Sequence, residues 1–263
     1  MRIVRFTPGP DAGLGQDPLF GVLEDDATIS IISGDPIYSG IQKTAAKIEL
    51  NKVRLLAPII PRSKVVCIGK NYADHAAEMG SDVPKEPVIF LKPNTSVIGP
   101  NDIIQWPRMS ERVDFEGELA IVISRICKDV PAEKVSDVIF GYTIANDVTA
   151  RDLQKVDGQW NRAKGFDTFC PLGPWIETEF IPGSQKIITT LNGEVKQSEP
   201  LSSMNFKIPE IIQFISSVMT LLPGDVILTG TPAGIGPMPA GAEVVVTIEG
   251  IGSLSNKVSP RAN

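Results

Sequence analysis

The sequence predicts a β-rich α+β fold, and three observations support this prediction. Its 23 glycines and 22 prolines are dispersed, and they separate many short apolar segments of strand type. Asn192-Gly193 lies between two such segments and is the preferred centre of a type I′ hairpin turn. One longer segment, residues 208–222, has apolar residues at helical spacing and is followed by Pro223-Gly224, a helix-ending pair.

The composition is that of an ordinary globular protein, and it excludes several classes of function. Of the 263 residues, 42% are hydrophobic and 21% are charged, with a formal net charge of −6. Because no basic stripe or arginine cluster occurs, we expect no nucleic-acid partner. The absence of a signal peptide or a membrane-length apolar segment predicts a cytoplasmic protein without a membrane partner. The cysteines lack CxxC spacing, which suits a reducing compartment and excludes a sulfur-ligated zinc site.

The chain is predicted to have two domains, a small N-terminal α+β domain over residues 1–61 and a catalytic domain over residues 62–263. The boundary is placed where Ala57-Pro58 and Pro61-Arg62 break the chain. The expected elements of the first domain are strands at residues 3–6, 20–23 and 28–32 and a weak helix at residues 41–48. Because no chemically distinctive group precedes the boundary, we expect this domain to pack or to dimerise.

The second domain is predicted to hold most of the sheet. Its apolar segments alternate with polar residues or are rich in β-branched residues, as strands are. The expected strands are residues 64–68, 86–91, 103–106, 113–123, 138–145, 187–191, 194–197, 226–228 and 243–249. Besides the helix at 208–222, we expect short helices around His75, over residues 132–137 and from Asp147 onward.

A pair of carboxylates, Glu116 and Glu118, lies near the start of the strand predicted at 113–123. Since a strand has a period of two, both side chains leave the same face. Asp147 follows the strand predicted at 138–145 and brings a third carboxylate to a strand end. Three carboxylates suit a hard divalent cation such as Mg²⁺ and leave coordination positions open for water or substrate. The alternative for Glu116 and Glu118 is a solvated sheet face.

The residues that can move protons or bind an oxyanion follow separate strands. His75 is the only histidine, and Glu78 lies at the i+3 spacing at which helical side chains meet, so the pair can act as a general base. Its alternative is an exposed surface pair. Lys164 lies beside Gly165 and can stabilise an enolate oxygen, or else it is a surface lysine. Lys92 follows a buried strand and faces either a site or solvent.

Further polar groups are placed to reach a ligand. Arg151 and Gln154 lie at i+4 and i+7 from Asp147, on one face of the expected helix. The glycine-rich segment 229–236 follows a strand but lacks both GxGxxG and P-loop spacing. It can present backbone N–H groups and the Thr231 hydroxyl to a carboxylate.

A series of short motifs occurs in the second domain, and their order is more specific than any one of them. The motifs are Gly69-Lys70-Asn71-Tyr72-Ala73-Asp74-His75, Phe90-Leu91-Lys92-Pro93, Phe115-Glu116-Gly117-Glu118-Leu119, Asn146-Asp147-Val148-Thr149-Ala150-Arg151-Asp152, Lys164-Gly165-Phe166-Asp167, Leu191-Asn192-Gly193, and Leu222-Pro223-Gly224-Asp225 with Thr229-Gly230-Thr231-Pro232. On these motifs the chain resembles the fumarylacetoacetate hydrolase family from Lys64 onward, whereas the preceding residues match that family poorly.

This resemblance implies a mixed β-sandwich roll with a metal site in its mouth, and usually a homodimer. It implies that Glu116, Glu118 and Asp147 bind Mg²⁺ or Mn²⁺. It assigns His75 and Glu78 to a water-activating pair on a mobile lid, and Lys164 to the substrate oxyanion. The residues expected to bind substrate are Asn71, Tyr72, Lys92, Arg151, Gln154, Gly230 and Thr231.

The activity expected from the resemblance is cleavage of a C–C bond in a small 2-oxo acid. We expect hydrolysis of an acylpyruvate such as fumarylpyruvate, with oxaloacetate decarboxylation at the same site, because the His75–Glu78 pair suits water activation. An isomerase or decarboxylase acting on 2-hydroxyhepta-2,4-diene-1,7-dioate is the alternative, since the reactions share one chelated headgroup. A β-rich binding module with a structural ion is the non-enzymatic alternative.

Overall fold

The structure is a computed structural model that describes residues 1–261. The first part of the chain contains β1 (Arg2–Pro8), β2 (Leu19–Leu23), β3 (Thr28–Ile32), α1 (Pro36–Ser39), β4 (Lys43–Glu49) and β5 (Val53–Leu55). The middle part contains β6 (Val65–Gly69), α2 (Ala73–Glu78), β7 (Val88–Lys92), β8 (Val97–Ile98), β9 (Ile103–Ile104), β10 (Val113–Phe115), β11 (Gly117–Ile123), β12 (Ile139–Asn146) and β13 (Thr149–Ala150).

The last part of the chain contains the remaining helices and a second group of strands. These elements are α3 (Arg151–Asp157), α4 (Asn161–Lys164), β14 (Cys170–Glu177), β15 (Lys186–Leu191), β16 (Glu194–Pro200), α5 (Ile208–Val218), β17 (Val226–Leu228), β18 (Gly236–Pro237), β19 (Glu243–Ile248) and β20 (Gly252–Val258). Short 3₁₀ helices cover Pro10–Ala12, Leu50–Lys52, Asn94–Ser96, Ala132–Val138 and Leu201–Ser203. No helix among the described residues is long and apolar enough to cross a membrane.

Most strands belong to one large mixed sheet, which packs against a smaller sheet. The large sheet has the order β4-β3-β2-β1-β14-β12-β11-β17-β6-β7, with β5 paired to β1 and β8 paired to β14. A five-stranded sheet has the order β16-β15-β19-β20-β9, and a three-stranded sheet has the order β13-β10-β18. The pairing is antiparallel except at β6–β17, β8–β14 and β9–β20. The predicted mostly β, α+β fold with mixed sheets is therefore confirmed.

The core lies on both faces of the large sheet, and β11 runs through its middle. Leu119, Ile121 and Ile123 pack into the cluster that also contains α5 and the inner face of the five-stranded sheet. Ala120 and Val122 point to the opposite face and pack into a second cluster. A strand with two buried faces is apolar throughout instead of alternating, which explains the unbroken apolar sequence after Glu118.

The first domain is continuous with the rest of the sheet. β1 pairs with β14 through Arg2↔Glu177 and Ile3↔Ile176, so the sheet runs from one predicted domain into the other. The predicted boundary at residues 61 and 62 stays a prediction. Strands β1, β2 and β3 cover the segments predicted for them.

The helix predicted at residues 41–48 is wrong, because this segment forms the edge strand β4. Its backbone pairs antiparallel with β3 over Thr28↔Glu49 and Ile29↔Ile48, and Lys43 forms an ion pair with Glu24 at 2.6 Å. Helix propensity is a weak preference, and an available sheet edge outweighs it. Lysines on the exposed edge also discourage further strand pairing.

The helix predicted at residues 208–222 is shorter than expected. It ends at Val218, and Met219 is already extended. Leu221 then exchanges two backbone hydrogen bonds with Cys127, at 2.9 and 3.0 Å. Pairing with a neighbouring segment therefore ends the helix before Pro223-Gly224. The hairpin predicted around Asn192-Gly193 is confirmed, with positive φ values of 51° and 82° at the two turn residues.

Where two of the sheets meet, the strand predicted at 113–123 is interrupted at Glu116. β10 belongs to the three-stranded sheet and β11 to the large sheet. The Glu116 N–H donates to Asn146 Oδ1 at 2.9 Å, and the Asp147 N–H donates to the Glu116 carbonyl at 2.8 Å. These hydrogen bonds hold the ends of β11 and β12 together, at the place where the carboxylates lie.

Gly117→Ala is expected to destabilise the fold, because the five-stranded sheet closely approaches β11 at this point. An added Cβ would lie 2.3 Å from Thr189 Oγ1 and 3.0 Å from Val246 Cγ1, both on buried, stiff side chains. We expect a loss of about 1–3 kcal/mol in the free energy of unfolding. The measurement is urea denaturation of the metal-free protein.

Gly236→Ala is the matched control, because an added Cβ there comes no closer than 3.7 Å to another atom. We expect it to change the free energy of unfolding by no more than about 0.5 kcal/mol. Equal stabilities for the two alanine variants would show that the sheets do not constrain position 117.

Candidate active site

The three predicted metal ligands converge in the structure. Glu116 lies between β10 and β11, Glu118 is the second residue of β11, and Asp147 follows β12. β11 and β12 pair with Gly117 opposite Asn146, so these positions lie at the same end of the two strands. One oxygen from each carboxylate lies within 4.8 Å of those of the others, and all three residues are buried. This is the arrangement that a shared cation requires.

Glu116 is surrounded by hydrogen-bond donors. Lys164 Nζ donates to its Oε2 at 2.8 Å, and both Arg151 Nη2 and Thr149 Oγ1 donate to its Oε1. Burial alone would raise the pKa of Glu116, but the charges of Lys164 and Arg151 outweigh burial and hold that pKa well below its usual range. Glu116 is therefore a carboxylate anion in the folded protein.

Glu118 has a different environment. It is 1% exposed and accepts a hydrogen bond from the Gly230 N–H at 2.6 Å, and no side-chain cation is paired with it within residues 1–261. Burial and the neighbouring charges of Asp147 and Glu116 raise its pKa well above the usual value. A divalent cation among the three carboxylates would supply the positive charge that Glu118 lacks. The residues present therefore fit a hard metal ion.

Asp147 and Lys164 form a buried ion pair next to Glu116. Asp147 accepts from Lys164 Nζ and Lys92 Nζ, each at 2.6 Å. Burial would lower the pKa of Lys164, but the carboxylates of Asp147 and Glu116 raise it, so Lys164 is an ammonium. An ammonium has three N–H groups, and two of those on Lys164 are used by these carboxylates. Within residues 1–261 the third N–H has no hydrogen-bond acceptor, so it can donate to a ligand oxygen.

Arg151 is positioned by a carboxylate that sequence reasoning missed. Its Nε donates to Asp114 Oδ2 at 2.9 Å and its Nη1 donates to Gln154 Oε1 at 2.5 Å. Asp114 is fully buried and is also held by Arg112. The spacing of two between Asp114, Glu116 and Glu118 is a signal that would have identified it.

The route by which Arg151 and Gln154 reach the site differs from the prediction. Helix α3 begins at Arg151, so Asp147 is not part of it. Asp147 instead precedes β13, whose Thr149 pairs with Asp114 of β10. The predicted i+4 and i+7 relation is therefore wrong as geometry, although both side chains border the same cavity as Asp147.

His75 and Glu78 lie on α2 at the predicted spacing. His75 Nδ1 and Glu78 Oε2 are 3.3 Å apart, and His75 is buried. Because a carboxylate anion can only accept, Nδ1 carries the hydrogen and Nε2 keeps its lone pair. Glu78 also accepts from the Gly234 N–H at 3.2 Å, which links the helix to the glycine-rich segment. The imidazole is therefore held in a tautomer that can accept a proton.

These groups border one small cavity of about 30 Å³. That volume holds roughly two water molecules. The predicted residues that border it are His75, Glu116, Glu118, Asp147, Arg151, Gln154, Lys164 and Thr231. The bordering residues that the sequence analysis did not assign include Lys70, Met79, Phe90 and Trp160. Phe90 and Trp160 pack edge to face at 5.3 Å, an arrangement that no local pattern indicates.

Four predicted substrate-binding residues do not border the cavity. Asn71 uses its amide on backbone groups of Phe206 and Thr229, and Tyr72 packs in the core. Lys92 is buried behind Asp147, where it also donates to the Val148 carbonyl. Gly230 gives its N–H to Glu118. Asn71, Lys92 and Gly230 thus use these polar groups within the fold, and the predicted contact of all four residues with substrate stays a prediction.

Comparison with known proteins shows the family to which this chain belongs. The protein-family model for the C-terminal domain of fumarylacetoacetate hydrolase matches residues 64–259, and the family model named Rv2993c-like, N-terminal, matches residues 1–58. Protein Rv2993c of Mycobacterium tuberculosis is 61% identical over 228 residues, which cover 86% of this chain and 84% of that protein. Oxaloacetate tautomerase YisK of Bacillus subtilis is 44% identical over 80% of this chain and 74% of its own length.

Solved structures agree with the family match. A 2-hydroxyhepta-2,4-diene-1,7-dioate isomerase from Mycobacterium marinum has a TM-score of 0.89 and 49% identity, covering 100% of this chain and 99% of its own. A maleylpyruvate hydrolase from Sphingobium sp. SYK-6, in complex with manganese (II) ion and pyruvate, has a TM-score of 0.80 and 30% identity, with both chains covered over 100%. The family match, the relatives and the shared fold lead to one conclusion: this chain is an enzyme of the fumarylacetoacetate hydrolase family.

Proposed function

We propose that this chain enolises a small 2-oxo dicarboxylic acid with the help of a divalent metal, and that its main activity is tautomerisation of oxaloacetate. One observation carries the proposal. A histidine held in a proton-accepting tautomer borders the same small cavity as three converging carboxylates and the ammonium of Lys164. A base opposite a site of positive charge is what removal of a proton next to a carbonyl requires.

The metal part of the proposal rests on the donor set. Glu116, Glu118 and Asp147 would hold Mg²⁺ or Mn²⁺, and the environment of Glu118 supports this because its buried carboxyl group forms no ion pair within residues 1–261. When bound, such an ion acts as a Lewis acid on the 2-oxo group of the substrate. The manganese in the related maleylpyruvate hydrolase is consistent with this donor set.

The protein's own groups then account for the proton transfer. His75 Nε2 accepts a proton from C3 of the 2-oxo acid, which leaves an enolate, and Glu78 stabilises the resulting imidazolium through Nδ1. The unused N–H of Lys164 donates to the enolate oxygen. Return of the proton to that oxygen gives the enol, so keto and enol forms interconvert without loss or gain of atoms.

The position of Lys70 favours a substrate that has a second carboxylate. This lysine borders the cavity and forms no ion pair within residues 1–261. Arg151 and Lys164, in contrast, are committed to buried carboxylates. A free cation beside the cavity favours a dicarboxylic acid such as oxaloacetate, the substrate in the name of the Bacillus subtilis relative.

Hydrolysis of an acylpyruvate, with oxaloacetate decarboxylation at the same site, is the second candidate function. The observation that favours hydrolysis is again the His75–Glu78 pair, which can deprotonate a water that attacks the distal carbonyl. Isomerisation of a hydroxy-dienedioate uses the same proton transfer as tautomerisation. We also propose that the chain forms a homodimer, with a small 2-oxo acid as its substrate and no nucleic-acid or membrane partner, and gel filtration with light scattering tests the assembly.

Glu118→Gln is expected to abolish metal binding without destabilising the metal-free protein. The variant keeps an oxygen acceptor for the Gly230 N–H and removes a carboxyl group whose ionisation is disfavoured by burial and by the neighbouring Asp147 and Glu116. In wild type, Mn²⁺ at 100 times its Kd should stabilise the fold by about 2.7 kcal/mol. Calorimetric titration with Mn²⁺ and thermal unfolding with and without EDTA provide the measurements.

Glu133→Gln makes the same chemical change at an exposed position and should behave as wild type in both measurements. Near-native Mn²⁺ affinity in Glu118→Gln would remove Glu118 from the ligand set. If EDTA unfolds the wild-type protein instead of only abolishing turnover, the ion is structural, as in the non-enzymatic alternative.

His75→Ala should separate the candidate reactions. Loss of the base is expected to slow oxaloacetate tautomerisation and acylpyruvate hydrolysis by about 10²–10⁴-fold. Decarboxylation should fall much less, because loss of CO₂ itself generates the enolate. The measurement is a turnover panel with Mg²⁺ and Mn²⁺ that offers oxaloacetate, fumarylpyruvate, acetylpyruvate and a hydroxy-dienedioate to one preparation.

The exposed neighbour Asp74 provides the control, since Asp74→Asn changes the same helix without touching the pair. Equal losses in all reactions of His75→Ala would mean that the imidazole orders the site instead of transferring protons. Wild-type turnover of an acylpyruvate far above oxaloacetate tautomerisation would favour the hydrolase over the tautomerase.

Lys70→Met is expected to discriminate between substrates by charge. Removing the ammonium should raise KM for oxaloacetate by about tenfold and leave pyruvate affinity within about twofold, because only the former has a distal carboxylate. Steady-state kinetics and competition by pyruvate measure the two effects. Parallel losses for both ligands would argue against a distal-carboxylate role for Lys70.

A further inference from the structure

The hydroxyl of Thr231 has an unusual set of partners. Thr231 is 2% exposed and borders the cavity. Its Oγ1 accepts a hydrogen bond from Gln197 Nε2 at 2.8 Å. Gln197 lies on β16 of the five-stranded sheet and is itself buried. A residue of the second sheet therefore reaches a side chain that borders the cavity.

The orientation of the Gln197 amide is fixed by two backbone groups. Its Oε1 accepts from the Gly117 N–H at 3.1 Å, and its Nε2 donates to the Pro232 carbonyl at 2.7 Å. A flipped amide would place donor against donor and acceptor against acceptor, which is costly for buried groups. The group that faces Thr231 must therefore be the NH₂, a donor.

This constraint determines what the Thr231 hydroxyl can do. A hydroxyl has one hydrogen, and the oxygen of Thr231 is already accepting from Gln197. Within residues 1–261, no acceptor is found for the hydrogen of Thr231. The hydroxyl is thus left to donate into the cavity that it borders.

We propose that Gln197 is a positioning residue that fixes Thr231 as a hydrogen-bond donor to the carboxylate of the 2-oxo acid. This inference rests on the proposed function, since it assumes a 2-oxo acid in the cavity. A carboxylate has only acceptors, so a hydroxyl with its hydrogen directed at it binds better than one that rotates freely. The same amide holds Gly117, between Glu116 and Glu118, and so fixes the donor relative to the metal ligands.

Gln197→Glu tests the proposal because it preserves shape and reverses polarity. A carboxylate at this position accepts from the Thr231 hydroxyl and turns its hydrogen away from the cavity. We expect pyruvate to bind the Mg²⁺-loaded variant about tenfold more weakly, as measured by calorimetry, with a matching rise in KM for oxaloacetate. Mg²⁺ affinity should stay within about threefold, because no metal ligand changes.

A double-mutant cycle separates positioning from simple charge repulsion. Thr231→Val removes the hydroxyl and should weaken pyruvate binding to a similar extent, whereas Thr231→Ser should restore it. In the Thr231→Val background, Gln197→Glu should cause no further loss, since its effect passes through the hydroxyl. Additive losses would overturn the proposal, because a structural or purely electrostatic effect does not require Thr231.

Further variants keep the test decisive. If Gln197→Glu does not fold, Gln197→Met replaces it. Methionine leaves the Thr231 hydroxyl free to rotate, so pyruvate affinity should fall about threefold when Thr231 is present. In the Thr231→Val background, Gln197→Met should cause no further loss. The exposed Gln213→Glu controls for added negative charge and should bind pyruvate as wild type. If wild type binds pyruvate normally but the Gln197 and Thr231 substitutions weaken binding independently of each other, only this inference is overturned. Failure of Mg²⁺-loaded wild type to bind any 2-oxo acid overturns the proposed function and this inference together.

Discussion

The structure depends on the balance of charge in one buried cluster. Four carboxylates and three cationic side chains are buried where the ends of the strands meet. They are Asp114, Glu116, Glu118, Asp147, Lys92, Arg151 and Lys164. Taking so many charges out of water is costly unless each has a partner, and loss of one partner leaves an uncompensated charge. The cationic side chains satisfy Asp114, Glu116 and Asp147, whereas Glu118 is left with a backbone N–H.

The interruption of the strand at Glu116 accounts for this distribution of partners. A continuous strand would keep β10 and β11 in one sheet, but the chain changes sheets at Glu116. The change allows Arg151, just after β13, to reach both Asp114 and Glu116, while β11 carries Glu118 into the large sheet. Glu118 forms no ion pair within residues 1–261, which is consistent with the proposed metal ion.

The parts of this arrangement that follow from local periodicity could be predicted from the sequence. The spacing of two placed Glu116 and Glu118 on one face, and the spacing of three placed His75 beside Glu78. Whether a side chain borders the cavity or is buried behind it could not be predicted in this way. Lys92 and Asn71 lie in the same motifs as bordering residues, but long-range packing buries Lys92 behind Asp147 and uses the Asn71 amide on distant backbone. The failure at residues 41–48 has the same origin, because a sheet edge distant in sequence decided that structure.

The glycine-rich segment at residues 229–236 connects the separate parts of the site. The Gly230 N–H binds Glu118, Thr231 borders the cavity, and the Gly234 N–H binds Glu78. Both glycines have positive φ, 97° and 98°, and an added Cβ would lie 2.7 Å from Asn71 Cβ or 2.0 Å from the Lys196 carbonyl oxygen.

The segment is thus held tightly between the Asn71 motif and β16, and it cannot move without disturbing several contacts at once. A shift that broke the hydrogen bond between Gly234 and Glu78 would also displace Thr231 and the Gly230 N–H that donates to Glu118. Glu118, the Thr231 hydroxyl and the His75–Glu78 pair are therefore connected through one segment. In a site of this size, such a shared segment fixes His75 relative to the carboxylates, as the proposed proton transfer over hydrogen-bond distances requires.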